Sequence, residues 1–398
     1  MPCGRLPRLG SCIVASPSSV PRVRIAPILL ASSIFAASIA SPANARAQDS
    51  DARWELEVHV GATSPADDLA GDTLRQFPAT DGFRAVGSPT ATSLAVSSWF
   101  FGEGTTLFNQ VNRLTGVNAS IVPLDPVLLS GATRLRGGPN VGVTAARWLW
   151  PRVAVELHVD YSSTAVVLHN RTLAAVEASS VSFVEAWDRY LQGAVAASGV
   201  ASDAFVSSHA ERGGGHQIFV IGAIKAVVHE GFDSRIYVAG GMGTVRTWSR
   251  APDVTLSGGY QFASAVETSP GHAVLAPFAE RDDVRIRVEL GKDRKLVGSL
   301  RGGFEYYIDP RRGFRLDIAL LLSADAVDTI LDASPAVVVR EPGAAIAGTT
   351  SPTIQFSSHP SDVTPSSLSG PPIRSLTTFA GDGLQAQIKI AVGYFVRF

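Results

Sequence analysis

The chain has 398 residues, of which 45% are hydrophobic and 17% charged, and its 34 basic and 35 acidic residues nearly cancel. Nucleic-acid-binding proteins carry a basic face, so this balance predicts no nucleic acid partner. After residue 48 no uninterrupted apolar stretch approaches the about 20 residues of a membrane-spanning helix. If the chain crosses a membrane, it must cross with strands.

The first 47 residues have the pattern of a secretory signal peptide. A cationic stretch precedes the apolar run 26–40, and two small-residue cleavage patterns end at Ala45 and Ala47. This order is typical of signal peptides, and the apolar run is too short for a comfortable membrane anchor. We expect residues 1–47 to be removed and residues 48–398 to form one barrel domain. That domain has a formal charge of −6 and contains neither cysteine.

The first predicted strand, residues 54–60, alternates between apolar and polar side chains. Strict alternation over roughly ten residues is typical of a transmembrane barrel wall, with apolar residues toward lipid and polar residues toward the lumen. Residues 153–161 repeat the pattern, and residues 138–149 show it less clearly. Between these strands, Trp99–Gly104 is an apolar cluster that we place either at the bilayer interface or in an extra strand from about Ala91.

Residues 173–195 predict an amphipathic helix in a long extracellular loop. Leu173, Val176, Val184, Trp187 and Leu191 form one apolar stripe, which Ser180 interrupts. Such a stripe packs against other apolar groups. The helix would either cover the mouth of the barrel, serve as a docking surface, or pack on neighbouring loop residues.

The second half of the chain completes the strand pattern. Its strongest strand is the last, 384–398, where Leu384, Ile388 and Phe398 belong to the apolar row and Gln385 to the polar row. Period-two sorting of this kind excludes a helix. Further strands are predicted at 217–228, 236–248, 300–307 and 314–320.

The connections between the predicted strands fall into two classes. Short turns rich in Pro, Gly and Asp occur at 150–152, 230–234 and 309–313, whereas the long segments are 63–137, 164–215, 249–297 and 326–382. Short periplasmic turns alternating with long extracellular loops are typical of outer-membrane barrels. Three turns and four loops make eight strands. The sequence thus predicts an all-β, antiparallel up-and-down transmembrane barrel, and a soluble β-sandwich is the rival fold.

Some of the long segments leave the strand count open. Residues 260–268 and 284–290 have strand character, and pairing within the membrane would raise the count to ten or twelve and permit a narrow pore. If they extend the barrel above the membrane, the lumen stays closed. Residues 332–375 are rich in Pro, Ser, Thr and Gly, which favours a flexible surface loop.

The end of the chain resembles the C-terminal insertion signal of bacterial outer-membrane proteins. Gly393, Val396 and Phe398 match its glycine, its apolar residue and its terminal aromatic, while Ala391 stands where a polar residue is usual. The segment 135–143, followed by the Trp–Pro turn at 150–151, resembles small barrels of the OmpA and OmpW type. The resemblance implies a bacterial outer-membrane location, contact with its lipid, and recognition of the last strand by the barrel-assembly machinery.

The alternation predicts which charged side chains face the lumen. Six acids and five bases would lie there, and this near balance suggests an internal ion-pair network, because charges shielded from water are costly unless paired. An open, ion-selective channel would more often show an excess of one sign. We expect a closed lumen. The predicted residues are Glu55, Glu57, Glu156, Asp160, Lys225, Arg301, Glu305, Arg315, Asp317, Lys389 and Arg397.

Two histidines, His59 and His158, should also face the lumen beside Glu57 and Glu156. A metal or proton-relay site is one interpretation, and a histidine hydrogen-bonded to a neighbouring acid is the other. They lie on different strands without any known ligand spacing, so we predict no metal and no cofactor.

No hydrolase, metalloprotease or nucleotide-binding motif is present in the sequence. We therefore expect a monomeric, non-enzymatic barrel with a structural or surface-interaction role and an unidentified extracellular partner. A small-molecule channel is the first alternative, and a barrel-embedded lipid-modifying enzyme is the second.

Overall fold

The computed structural model describes most of the chain beyond its first fifty residues. The predicted signal peptide, residues 1–47, lies outside the described residues. The described ranges are 53–66, 71–73, 84–85, 92–114, 116–195, 202–262, 266–269, 272–274, 278–324, 326–339, 354–359, 362–367, 372–381 and 383–398.

The helices and strands are numbered here in chain order. The three helices of the described residues are α1 (Gly102–Leu114), α2 (Asp125–Leu128) and α3 (Asn170–Val195). The strands are β1 (Trp54–Pro65), β2 (Gly71–Thr73), β3 (Arg84–Ala85), β4 (Thr92–Ala95), β5 (Thr133–Arg136), β6 (Gly138–Trp150), β7 (Val153–Ser162), β8 (Ala165–Leu168), β9 (Ser202–Glu211), β10 (Gly214–Glu230), β11 (Ser234–Arg250), β12 (Asp253–Phe262), β13 (Val266–Ser269), β14 (His272–Val274), β15 (Phe278–Leu290), β16 (Arg294–Asp309), β17 (Arg312–Ala324), β18 (Val327–Val339), β19 (Ile354–His359), β20 (Asp362–Ser367), β21 (Ile373–Gly381) and β22 (Leu384–Arg397).

Eight of these strands close into a barrel, in the order β1, β6, β7, β10, β11, β16, β17 and β22, with β22 pairing back to β1. Every neighbouring pair is antiparallel, so the barrel has up-and-down topology. Each barrel strand contains one of the eight predicted strands. The prediction of an eight-stranded barrel is therefore confirmed, whereas the sandwich and the count of ten to twelve membrane strands are wrong.

The barrel wall sorts its side chains as the alternation predicted. In β1, Leu56 and Val58 point outward and are 45% and 56% exposed, whereas Glu55 and Glu57 are buried in the lumen. Exposed aliphatic and aromatic residues recur on all eight strands. A surface so rich in apolar side chains is unfavourable in water and favourable against lipid.

The wall continues beyond the barrel as a second sheet, which we call the upper sheet. Its order is β9, β12, β15, β18, β21 and β2, and each of these strands is joined to a barrel strand by two to five residues. This order repeats that of β10, β11, β16, β17, β22 and β1. The outward residues are apolar on the barrel strands and charged on the upper sheet, where β15 carries Arg281, Asp283, Arg285 and Glu289.

The inner face of the upper sheet packs against helices. Phe183 and Trp187 of α3 and Phe108 of α1 are buried against it, and the Trp187 and Tyr260 rings stack with centroids 3.9 Å apart. The predicted helix of residues 173–195 is confirmed and begins at Asn170. Trp99 lies in the same core, so the prediction that its cluster lies at the bilayer interface is wrong.

The long connections contain the strands of the upper sheet. Residues 260–262 and 284–290 belong to β12 and β15, as expected if they extend the barrel and not if they pair within the membrane. Within the segment expected to be a flexible loop, residues 332–339 continue β18, which pairs with β15. Pairing with a strand about fifty residues away supplies the backbone hydrogen bonds that the local composition did not suggest.

Candidate functional site

The inward side chains of the barrel strands form the candidate site. We call it the lumen cluster, and it consists of the eleven charged residues predicted from the sequence together with Arg235. The structure brings all eleven predicted residues into the lumen and places each within ion-pair distance of an opposite charge. Their ion pairs run across the barrel as well as along its wall.

Arg315 lies at the centre of the lumen cluster. Its guanidinium on β17 donates to Glu55 and Glu57 on β1 and to Glu305 on β16, with 2.6 Å between Arg315 Nη2 and Glu305 Oε1. The side chain is fully buried. The ring of Tyr237 lies 5.2 Å from its central carbon. Because Glu156 Oε1 on β7 also lies 3.6 Å from Arg315 Nη1, one cation joins four acids from three strands.

Lys225 shares Glu55 and Glu305 with Arg315 from the other side of the lumen. Its ammonium on β10 contacts Glu305 and lies 3.6 Å from Glu55 Oε1 and 3.5 Å from Glu156 Oε1. The ring of Tyr237 lies 4.4 Å from the nitrogen, within the range of a cation–π interaction. Together with Arg315, Lys225 connects strands on opposite sides of the barrel.

The turn end of the lumen is filled by stacked arginines and aromatic rings. Arg397 Nε donates to Glu55 Oε2 at 2.7 Å, and its guanidinium lies 4.9 Å from the Trp148 ring and 4.7 Å from the Tyr307 ring. Arg235, which the sequence analysis missed, pairs with Glu230 and lies over the same two rings. Planar guanidinium groups that stack on rings fill space as well as carry charge.

A second group of charges lies further up the lumen. Arg301 contacts Glu156, and its Nη1 lies 3.5 Å from Asp317 Oδ2. His158 shares this group, since Arg301 Nη2 lies 2.6 Å from its Nε2 and the Thr144 hydroxyl lies 2.7 Å from its Nδ1. The histidine is thus surrounded by hydrogen-bonding partners.

His59 belongs to a third group with Asp160 and Lys389. Its Nε2 lies 2.5 Å from Asp160 Oδ1 and 2.9 Å from Lys389 Nζ, and Lys389 Nζ donates to the same carboxylate oxygen at 2.6 Å. Among the described residues no cluster of histidine, cysteine and carboxylate side chains suited to a metal ion is found. Both histidines therefore have the contacts of the second interpretation, in which each is hydrogen-bonded to an acid, Asp160 for His59 and Glu156 for His158.

An apolar layer lies above the charged groups on one side of the lumen. Phe219, Ile221, Val245, Val297 and Leu321 face inward and pack together. This layer was not predicted, although the sequence carries a signal of it. The alternation of residues 217–228 and 236–248 is blurred because both faces of these strands carry apolar residues.

The three residues of the predicted insertion signal lie on β22 or directly after it. The backbones of Phe398 and Trp54 exchange two hydrogen bonds of 3.0 Å, which close the barrel between its first and last strands. Val396 points outward and is partly exposed, whereas Gly393 faces the lumen. A Cβ at Gly393 would overlap the carboxylate of Glu57. The close approach of Glu57 therefore explains why the residue at position 393 lacks a side chain. Its role in insertion stays a prediction.

Comparison with known proteins gives limited similarity. No protein-family model and no curated protein matches the chain. The crystal structure of the outer membrane protein OprG from Pseudomonas aeruginosa is 10% identical, with a TM-score of 0.34, over 87% of this chain and 97% of that chain. The solid-state NMR structure of the outer membrane protein AlkL is 10% identical, with a TM-score of 0.31, over 90% of this chain and 95% of that chain.

A third similar structure is the Ralstonia pickettii toluene transporter TbuX, at 11% identity and a TM-score of 0.17, over 91% of this chain and 93% of that chain. Similarity at these values does not transfer a substrate. The assignment rests on the molecule itself, which has eight paired strands, an apolar outer wall and a charged interior. Those are the features of bacterial outer-membrane barrels, and the chain is a transmembrane barrel of that architecture.

Proposed function

We propose that the chain is an outer-membrane barrel with a closed lumen, which anchors a folded layer at the bacterial surface. The observation that carries the proposal is the lumen cluster. Its ion pairs span the barrel from β1 to β10 and from β7 to β16. Eight strands leave room for little more than side chains, so a paired set of large ones fills the interior.

The balance of the lumen charges supports closure over conduction. Arg315, Lys225 and Arg397 are shared among Glu55 and Glu305, and all five side chains are buried. Removing one partner from a buried ion pair typically costs about 3–5 kcal/mol. A passing ion would have to displace such contacts, and we infer that the resting barrel does not conduct.

The surface that binds a partner would then be the upper layer, by which we mean the upper sheet together with the helices packed on its inner face. In the orientation usual for this architecture, short turns face the periplasm, which places the upper sheet outside the cell. Its outer face contains a concave region of about 530 Å³ whose lining includes Ser207, His209, Arg281, Arg285 and Arg374. These hydroxyls and cations suit a polar partner. We further propose a monomer that is inserted by the barrel-assembly machinery.

Single-channel conductance in a planar bilayer tests the closed lumen. The refolded chain should give no steady conductance steps, whereas Arg315→Ala/Glu305→Ala, which removes two central side chains, should open a path and give steps. A matched control is Arg285→Ala/Asp253→Ala, which removes an exposed ion pair of the upper sheet and should stay silent.

Steady steps from the unchanged chain would refute the closed lumen and favour the alternative of a small-molecule channel. A silent barrel would direct attention to the upper layer, and binding assays on whole cells would follow. The lipid-modifying enzyme is the remaining alternative. It requires a serine and a histidine in contact on the lipid-facing wall, and we do not propose it.

A further inference from the structure

Two arginines lie directly opposite each other on the outer wall, near the upper end of the barrel. Arg246 on β11 is the register partner of Arg294 on β16, and both side chains are exposed on the outward face. Like charges at directly opposed positions of neighbouring strands destabilise a sheet. A pair of this kind needs either water or an anion to offset the repulsion.

Neither guanidinium forms an ion pair with an acid among the described residues. The other exposed arginines nearby behave differently, because Arg250 pairs with Glu211 at 2.7 Å and Arg285 pairs with Asp253 at 2.5 Å. Arg246 instead lies over the Trp248 ring, 4.7 Å from its centroid. The opposed pair thus differs from Arg250 and Arg285, each of which is matched by an acid.

The surroundings of the pair are those of a membrane interface. Tyr161, His216 and Trp248 form a row of rings across β7, β10 and β11, with centroid separations of 5.7 and 5.4 Å. Aromatic girdles mark both interfaces of transmembrane barrels. Above this row the outward residues become charged, as on β15 of the upper sheet.

The distance of the two arginines from the turn end of the barrel also agrees with a position at the membrane interface. Arg294 lies twelve residues along β16 from Tyr306, an outward aromatic residue near the turn end. At about 3.4 Å per residue this is about 40 Å along the strand. A tilt of roughly 40° makes it about 30 Å of height, slightly more than the about 25 Å apolar band of such barrels. The arginines therefore reach the level of the outer headgroups.

We propose that Arg246 and Arg294 bind the phosphate of an anionic lipid headgroup in the outer leaflet. Two guanidinium groups can donate several charge-assisted hydrogen bonds to one phosphate, whose charge would offset their mutual repulsion. Trp248 would lie beside the upper part of the same lipid. This inference rests on the membrane placement of the proposed function.

Native mass spectrometry of the folded chain in non-ionic detergent tests the site, with phosphatidylglycerol and phosphatidylcholine as probes. The unchanged chain should retain one phosphatidylglycerol at least tenfold more tightly than Arg246→Gln/Arg294→Gln. Retention of phosphatidylcholine should be the same for both. The control Arg311→Gln/Arg312→Gln, which removes the same charge from the exposed turn between β16 and β17 at the other end of the barrel, should behave like the unchanged chain.

Equal retention of phosphatidylglycerol by the unchanged chain and by Arg246→Gln/Arg294→Gln would overturn the proposal. Displacement of the lipid by an equal concentration of inorganic phosphate would overturn the assignment to a lipid. Arg246→Lys/Arg294→Lys keeps both charges and should stay within about threefold of the unchanged chain, which keeps the test usable if the glutamine variant folds poorly. Failure of the unchanged chain to insert into vesicles would instead refute the membrane placement itself.

Discussion

Gly302 and Gly303 are neighbours on β16 that face opposite sides of the barrel wall. A Cβ at Gly303 would overlap the hydroxyl of the buried Tyr237, whereas a Cβ at Gly302 would meet its nearest atom at 3.9 Å. We predict that Gly303→Ala lowers the free energy of unfolding by about 1–3 kcal/mol, the usual cost of overpacking. Gly302→Ala should leave it nearly unchanged. Urea unfolding in lipid vesicles measures both, and equal effects of the two substitutions would contradict the packing explanation.

Asp282 is a buried carboxyl in the core of the upper layer. Burial, together with the nearby Glu280 and Asp283, raises its pKa to about 7, although Ser98 and the backbone amide of Trp99 donate to it and act in the opposite direction. Because the folded pKa exceeds the unfolded value near 4, the stabilising contribution is complete below about pH 4 and is lost as the pH rises toward 7.

We therefore predict that the upper layer loses stability between pH 5 and pH 7, by up to about 1.4 kcal/mol per pH unit. Asp282→Asn should flatten this dependence, because it removes the titrating group and keeps an acceptor for the Ser98 hydroxyl. Thermal melting followed by tryptophan fluorescence reports the change. Glu289→Gln, on the exposed face of the same strand, is the control, and an unchanged pH slope in Asp282→Asn would refute the assignment.

Helix α3 is the element that fills the inner side of the upper sheet. Trp187 stacks on Tyr260 and packs against Trp99 and Phe108, so Trp187→Ala should destabilise the upper layer by about 3–5 kcal/mol. Val181→Ala, at a site on the same helix that is 63% exposed, should cost almost nothing. Limited proteolysis with mass mapping separates the layers, and we expect new cleavage in α3 while the barrel strands stay protected. Loss of protection in the barrel as well would show that the two layers unfold together.

The strands of the barrel could be predicted because each carries its own pattern. In β22 exposed and buried side chains alternate from Leu384 to Arg397. Which residues face lipid and which face the lumen can therefore be predicted without knowing the neighbouring strands. The eleven charged residues of the lumen followed from the same alternation. Arg235 did not, because the predicted strand began at Ile236, whereas β11 begins at Ser234.

The upper sheet could not be predicted in this way. Its strands bury one face against helices and pair with partners that are distant in the chain, as β18 does with β15. Pro335 within β18 and the Ser-rich composition after it favour a loop when they are considered alone. Leu331 and Ala333 pack against the helical core, and the sequence of β18 alone does not indicate where that core lies.

At the scale of the whole molecule, the apolar belt fixes how the barrel lies in a bilayer. Ile318, near the middle of the belt on β17, should tolerate arginine poorly, and Ile318→Arg should cost about 2–4 kcal/mol in vesicles. Phe232, which is 95% exposed in the turn between β10 and β11, should tolerate Phe232→Arg with little loss. Unfolding titrations in vesicles give both values, and equal costs at the two sites would contradict the placement of the belt.

The continuity of six strands from the barrel into the upper sheet has a consequence for anything that approaches the cell from outside. An antibody raised against the native protein would meet a pleated surface on which Arg281 and Asp283 of β15 lie beside Ser257 of β12, residues brought together only by folding. Such antibodies should recognise conformational epitopes, bind intact cells, and lose the antigen once it is boiled.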